Sequence, residues 1–130
     1  MRSFPFLESR QSVVLLRVAV ALFMMAHGLT RMYLGTVGGF GEFLNSKGFI
    51  FGGLLSWAIT IFEIVGGASM AFGFFVKWIS AGFIIELIAG IFLVHLPNGW
   101  FVVGATLGGM EYSSLLIIAL VVIASHHTGN

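Results

Sequence analysis

The chain has 130 residues, of which 58% are hydrophobic, 15% aromatic and only 8% charged, and its formal net charge is +1. An average soluble protein is about 25% charged, so this sequence has too few polar side chains to cover a globule in water. The composition predicts a membrane protein and excludes a basic nucleic-acid-binding domain. The chain has no cysteine, which excludes disulfides, thiol catalysis and cysteine-ligated cofactors.

Four continuously apolar runs divide the chain, at residues 12–30, 51–74, 78–96 and 110–125. The first three are long enough to cross a bilayer, because about 19 helical residues reach about 28 Å. The fourth is shorter, and we expect it to recruit the glycine-rich residues 104–109. Continuous runs favour helices over alternating barrel strands. With no polar linker between them, the runs predict one domain over residues 1–130, an all-α integral membrane protein with an antiparallel four-helix bundle.

The first apolar run is expected to remain as a helix rather than to be removed as a signal peptide. Arg17 interrupts it, and no small-residue cleavage site follows. The connection at residues 31–50 is rich in glycine and phenylalanine, and we expect it to fold back into the membrane interface.

The distribution of cations predicts an orientation. Arg2, Arg10 and Lys77 lie at one set of helix ends, whereas Arg31 and Lys47 lie at the other. This small excess predicts that both termini are cytoplasmic.

Ionisable residues inside the apolar runs are informative, because a charge at the bilayer centre costs at least about 2.5 kcal/mol. Depth along each run places Arg17, Glu63 and Glu86 in an inner group. We expect the two glutamates to face the bundle interior, with Arg17, the one strong cation at their depth, paired to one of them. Such a group either fixes helix register as a buried ion pair or handles protons or a ligand.

An outer group is predicted from His27, His95 and Glu111, together with Arg31 and Tyr112. These side chains can hydrogen-bond a quinone carbonyl or pass a proton. We expect no metal site, since the histidines lack metal-ligand spacing and no HExxH motif occurs. Haem ligation by His27 and His95 is one alternative. The other is that these side chains bind no ligand and only form hydrogen bonds at the membrane interface.

Small residues and one proline predict local packing. Gly67 and Ala71 form a small-xxx-small pair that lets a neighbouring helix approach closely, and Gly28 permits the same contact. Pro97 is expected to end the third helix just after His95.

Four fragments occur in order: the Arg17 run leading to HG at 27–28, EIVGG at 63–67, HLPNGWF at 95–101 and GGMEY at 108–112. This ordered set resembles the DoxX family of small bacterial membrane proteins. The resemblance implies a four-helix inner-membrane protein. The positions that it marks are Arg17, His27, Glu63, His95, Glu111 and Tyr112. Family members include proteins associated with thiosulfate:quinone oxidoreduction and others linked to oxidative-stress complexes.

These observations lead to three hypotheses of function. The first is a DoxX-like subunit of a quinone-linked oxidoreductase complex, with the outer group near a quinone headgroup and a membrane or soluble partner protein carrying the redox centre. The second is a noncatalytic membrane scaffold or assembly subunit. The third is a pathway for small solutes or protons, which would need a homo-oligomer. No nucleic-acid partner is expected.

Overall fold

A computed structural model describes residues 3–128, and no strand occurs among them. Arg2, part of the orientation argument, lies outside this range. The helices, in chain order, are α1 (Ser9–Tyr33), α2 (Val37–Ser46), α3 (Gly52–Ala71), α4 (Val76–Asn98) and α5 (Glu111–His126). The prediction of an all-helical protein is confirmed.

Within residues 3–128, three helices are long and apolar enough to cross a membrane: α1, α3 and α4. The fourth apolar helix, α5, has 16 residues, or about 24 Å, which is less than the usual hydrocarbon thickness. A bundle of four crossing helices is therefore not confirmed, and the fourth crossing stays a prediction.

The expectation that residues 104–109 extend the fourth helix is wrong. Gly104 and Gly108 have φ values of +107° and +71°, which a right-handed helix does not accommodate. The segment instead belongs to an irregular loop, closed by hydrogen bonds from the Gly108 amide to Val102 O and from the Gly109 amide to Phe101 O.

Glycines set the packing of α1 against α3, as their spacing predicts. A Cβ atom at Gly28 would lie 2.9 Å from the carbonyl oxygen of Thr60, and one at Gly67 would lie 3.0 Å from that of Ala21. The two helices are antiparallel, since the later residue of α1 meets the earlier residue of α3. The absence of side chains at these two glycines therefore lets the helix backbones approach closely.

The core lies where α1, α3, α4 and α5 meet. Its fully buried large side chains include Met24, Met70, Phe83 and Leu120, one from each of these helices. Most large apolar side chains on the opposite faces are exposed, which is the pattern expected of helices whose outer faces contact lipid.

The connection between α1 and α3 folds back onto α3 and contains α2. Ser56 Oγ donates a 2.7 Å hydrogen bond to Val37 O, and the Gly52 amide donates a 2.9 Å bond to Asn45 Oδ1. Polar contacts at two points therefore fix α2 against the beginning of α3.

Both α3 and α4 contain a wide π-helical turn, at Phe62–Gly66 and at Ile91–His95. Such turns are rare in proteins overall, and those that occur are often found at functional sites. One contains Glu63 and the other contains His95. After His95, α4 closes with a 3₁₀ turn at Leu96–Asn98, which confirms the predicted end at Pro97.

Candidate functional site

The centre of the candidate site is an ion pair between Arg31 and Glu63. Arg31 Nη1 lies 2.7 Å from Glu63 Oε1 and also donates a 2.8 Å hydrogen bond to Thr60 Oγ1. The guanidinium carbon lies 4.6 Å from the centroid of the Phe40 ring. The Glu63 side chain is only 4% exposed and that of Arg31 17%, so the pair is largely withdrawn from solvent.

The expectation that Arg17 pairs with a glutamate is wrong. Its Nη2 atom donates a 3.4 Å hydrogen bond to Ala71 O instead. Glu63 lies eight residues before Ala71 on α3, or about 12 Å along the axis. At this register of α1 against α3, Gly28 contacts Glu63 Cβ. Arg31 lies about one helical turn beyond Gly28, so its side chain reaches the Glu63 carboxylate.

A cavity of about 230 Å³ opens beside this ion pair. Its polar lining includes His27, Arg31, Glu63, Glu86, His95 and Tyr112. The separation into an inner and an outer group is therefore wrong, because residues of both groups line the same space. One reason is that α1 continues to Tyr33, which places His27 about 9 Å from the helix end rather than near it.

Glu86 is a polar side chain of this cavity that has an unsatisfied buried atom. Glu63 lines the same cavity, and the two carboxyl groups interact electrostatically. The Oε1 atom of Glu86 is buried and meets no donor from residues 3–128. Carboxylate oxygens only accept, so a hydrogen bond between the two groups requires one proton. Glu63 and Glu86 therefore form a carboxyl pair that can hold a proton.

His95 is fixed by the loop that precedes α5. Its Nδ1 atom lies 2.8 Å from Gly108 O, and because a carbonyl oxygen only accepts, Nδ1 carries the hydrogen. In the neutral ring Nε2 is then the acceptor. The same loop is closed by a 3.0 Å hydrogen bond from the Met110 amide to Gly99 O.

Arg17 and Glu111 lie outside the cavity. Arg17 belongs to the opposite end of α1, and Glu111 is exposed, accepting a 3.3 Å hydrogen bond from the Val102 amide. Tyr112, the next residue, does line the cavity. Of the residues predicted for a site, the structure thus brings together His27, Glu63, Glu86, His95 and Tyr112.

An apolar groove of about 390 Å³ adjoins the polar cavity between α2, α3 and α4. The two spaces share Phe40, Ile59, Glu86 and Gly90. Glu86 is the one ionisable residue in the described lining of the groove. Its carboxyl group therefore stands at the junction between a polar space and an apolar one.

On its other side, the polar cavity meets an open cleft of about 450 Å³. His27, Arg31 and Tyr112 line both spaces. The three spaces form a series from open cleft to polar cavity to apolar groove. This series can admit a small polar group from one side and an apolar chain from the other.

Sequence reasoning missed the contributions of Phe40, Thr60 and Gly90. Thr60 stands three residues before Glu63, on the same helix face, so its spacing was a usable signal. Phe40 and Gly90 carry no such signal in the sequence. No group of three or more potential metal ligands occurs within residues 3–128.

Comparison with known proteins identifies a family. The DoxX family model matches residues 12–96, a segment that contains Arg31, Glu63, Glu86 and His95 but not Tyr112. No curated protein and no solved structure matches the chain. With a match over more than half of its length, and with three long apolar helices, the chain is a membrane protein that belongs to the DoxX family.

Proposed function

We propose that this protein is an inner-membrane subunit supporting quinone-linked electron transfer in a larger complex, and that its polar cavity binds the quinone headgroup. The observation that carries the proposal is the position of Glu86, which lines both the polar cavity and the apolar groove and whose buried Oε1 has no hydrogen-bond partner within residues 3–128. A quinone has the matching shape, with polar carbonyl groups on a ring that bears an apolar tail.

In this proposal the groove holds the apolar tail of the quinone and the cavity holds its headgroup. The groove volume of about 390 Å³ and its phenylalanine-rich lining suit part of an isoprenoid chain. The adjoining cavity offers groups that hydrogen-bond a carbonyl oxygen, such as the protonated carboxyl of the Glu63–Glu86 pair. Arg31 orients Glu63 and leaves Glu86 to face the headgroup.

Reduction of a quinone to a quinol takes two electrons and two protons. The electrons come from a redox partner protein, and this chain supplies the proton route. His27 and Tyr112 stand between the open cleft and the cavity, and the carboxyl pair stands beside the headgroup. The proposed proton route runs from the cleft past His27 and Tyr112 to the carboxyl pair and the quinone.

Binding of decylubiquinone to the purified protein tests the proposal. Gly90 lines both spaces, and a Cβ atom there meets nothing within 4 Å. The Gly90→Leu variant should fill the junction without disturbing the packing and weaken binding at least about tenfold. The matched control is Gly39→Leu, at an exposed glycine of α2 that is equally open, and it should bind like the parent.

A second pair of variants tests the headgroup end. Glu86→Ala removes the carboxyl at the junction and should weaken decylubiquinone binding about tenfold, whereas Glu111→Ala, outside the cavity, should not. Unchanged binding in both Gly90→Leu and Glu86→Ala would refute the quinone site. A parent protein that binds no quinone would favour the scaffold hypothesis.

A further inference from the structure

The opposite end of the molecule contains a second polar cavity, which the proposed function does not use. It measures about 380 Å³ and lies between the first turns of α1 and the end of α5. Its polar lining comprises Ser9, Arg10, Arg17, His126, His127 and Thr128. The cavity is therefore basic, in contrast to the carboxyl-rich cavity at the other end.

Arg17 is the half-buried cation of this cavity, and its hydrogen-bonding capacity is largely unused. A guanidinium has five N–H donors. The bond from Nη2 to Ala71 O is long, at 3.4 Å, and the buried Nε atom has no acceptor in the described part of the chain. A partly buried cation with unused donors is stabilised by an anion that accepts two hydrogen bonds.

Within residues 3–128, the chain offers little negative charge here. All five acidic residues are glutamates, and none of them lines the cavity. Glu63 and Glu86 belong to the other site, and Glu8, which precedes the cavity residue Ser9, takes part in the capping box of α1 with Gln11. The cations of this cavity therefore favour an anion from outside the chain.

The remaining lining of the cavity is apolar. Val13, Val14 and Ile123 border it together with Arg17. Arginine donors next to an apolar wall match a molecule with a phosphate group and a hydrocarbon part. Basic pockets between membrane helices bind the headgroups of anionic lipids in this way.

We propose that this cavity binds the phosphate group of an anionic phospholipid, with Arg17 as the principal donor and Arg10 at the rim. Free phosphate offers the same acceptor oxygens without the hydrocarbon part. The proposal concerns the end of the molecule opposite to the quinone site, so either can fail without the other.

Native mass spectrometry of the full chain, purified in detergent and exposed to equal amounts of phosphatidylglycerol and phosphatidylcholine, tests the proposal. The parent should retain phosphatidylglycerol preferentially, and Arg17→Gln should reduce that retention about tenfold. Lys77→Gln is the matched control, because Lys77 is an exposed cation near the same end that does not line the cavity. It should retain the lipid like the parent.

Arg10→Gln covers the case in which Arg17→Gln does not fold. Arg10 is exposed on the first turn of α1, so its loss should leave thermal unfolding unchanged and still reduce retention at least about twofold. Equal losses in Arg10→Gln and Lys77→Gln, or no loss in any cavity variant, would overturn the proposal.

Inorganic phosphate distinguishes the two sources of the anion. If phosphate alone raises the thermal unfolding midpoint of the parent but not of Arg10→Gln, while phosphatidylglycerol is not retained, the occupant is free phosphate. If phosphatidylglycerol is retained and phosphate has no effect, the occupant is the lipid.

Discussion

Arg31 connects three helices through one guanidinium group. It belongs to α1, pairs with Glu63 and Thr60 on α3, and lies over the Phe40 ring of α2. The Glu63 side chain is only 4% exposed, so little water can replace these hydrogen bonds. A carboxylate as buried as Glu63 therefore depends on this cation, and the two charges stabilise the fold only as a pair.

Removal of one member of the pair should be more harmful than removal of both. Arg31→Met retains an apolar stem of similar length but leaves Glu63 buried without its cation, so we expect a loss of about 3 kcal/mol in unfolding free energy. The loss would appear as a lower midpoint of thermal unfolding in detergent.

The double variant Arg31→Met with Glu63→Leu is the control. It replaces both charges with apolar side chains and should recover most of the stability lost in the single variant. A double variant that is less stable than Arg31→Met by a further similar amount would show that the two residues act independently.

At the scale of the helices, glycine contacts decide which polar residues meet. Gly28 lies against Thr60 and Glu63, and Gly67 lies against Ala21. These two contacts fix the register of α1 along α3. The register carries Arg31 to Glu63 and leaves Arg17 beside Ala71.

A methyl group at Gly28 should disturb this register. In Gly28→Ala the new Cβ atom would lie 2.8 Å from Ile64 Cγ1 and 2.9 Å from Thr60 O, and the carbonyl cannot move aside as a flexible side chain could. We expect a loss of about 1–3 kcal/mol in unfolding free energy, measured by thermal or denaturant unfolding in detergent.

Gly53→Ala provides the comparison, because a Cβ atom at Gly53 on α3 meets nothing within 4 Å. This change should be neutral or should stabilise the protein by up to about 1 kcal/mol, since alanine favours the helix. Equal effects of the two substitutions would contradict a specific contact at Gly28.

The sequence predicts the long helices and the close approach at Gly28 and Gly67, because apolar runs and small residues act locally. It does not predict which residues of two helices stand side by side. Counting 1.5 Å per residue from assumed helix ends grouped Arg17 with Glu63 and Glu86, whereas packing determines the register. The π-helical turns at Glu63 and His95 likewise depend on neighbouring helices and leave no periodic signal.

At the scale of the whole molecule, the ionisable residues that line cavities form two separate groups. Four glutamates, Glu42, Glu63, Glu86 and Glu111, belong to the end with the carboxyl pair or to its loops, and the cavity at the other end contains Arg10 and Arg17.

Whether both termini lie on the same side of the membrane depends on α5. A 16-residue helix can cross if the bilayer thins locally or flanking residues extend toward the interface.

Labelling of single cysteines determines the number of crossings, because the chain has no native cysteine. We expect Ser3→Cys and Thr128→Cys to react with a membrane-impermeant maleimide only when the cytoplasmic face is accessible, as in inverted inner-membrane vesicles. Lys47→Cys, in the connection between α2 and α3, should react in intact cells. This pattern requires an even number of crossings, which returns the chain to its starting side, and with α1, α3 and α4 all crossing that number is four. Reaction of Thr128→Cys in intact cells, with Ser3→Cys protected, would instead mean that α5 lies on the membrane and that three helices cross it.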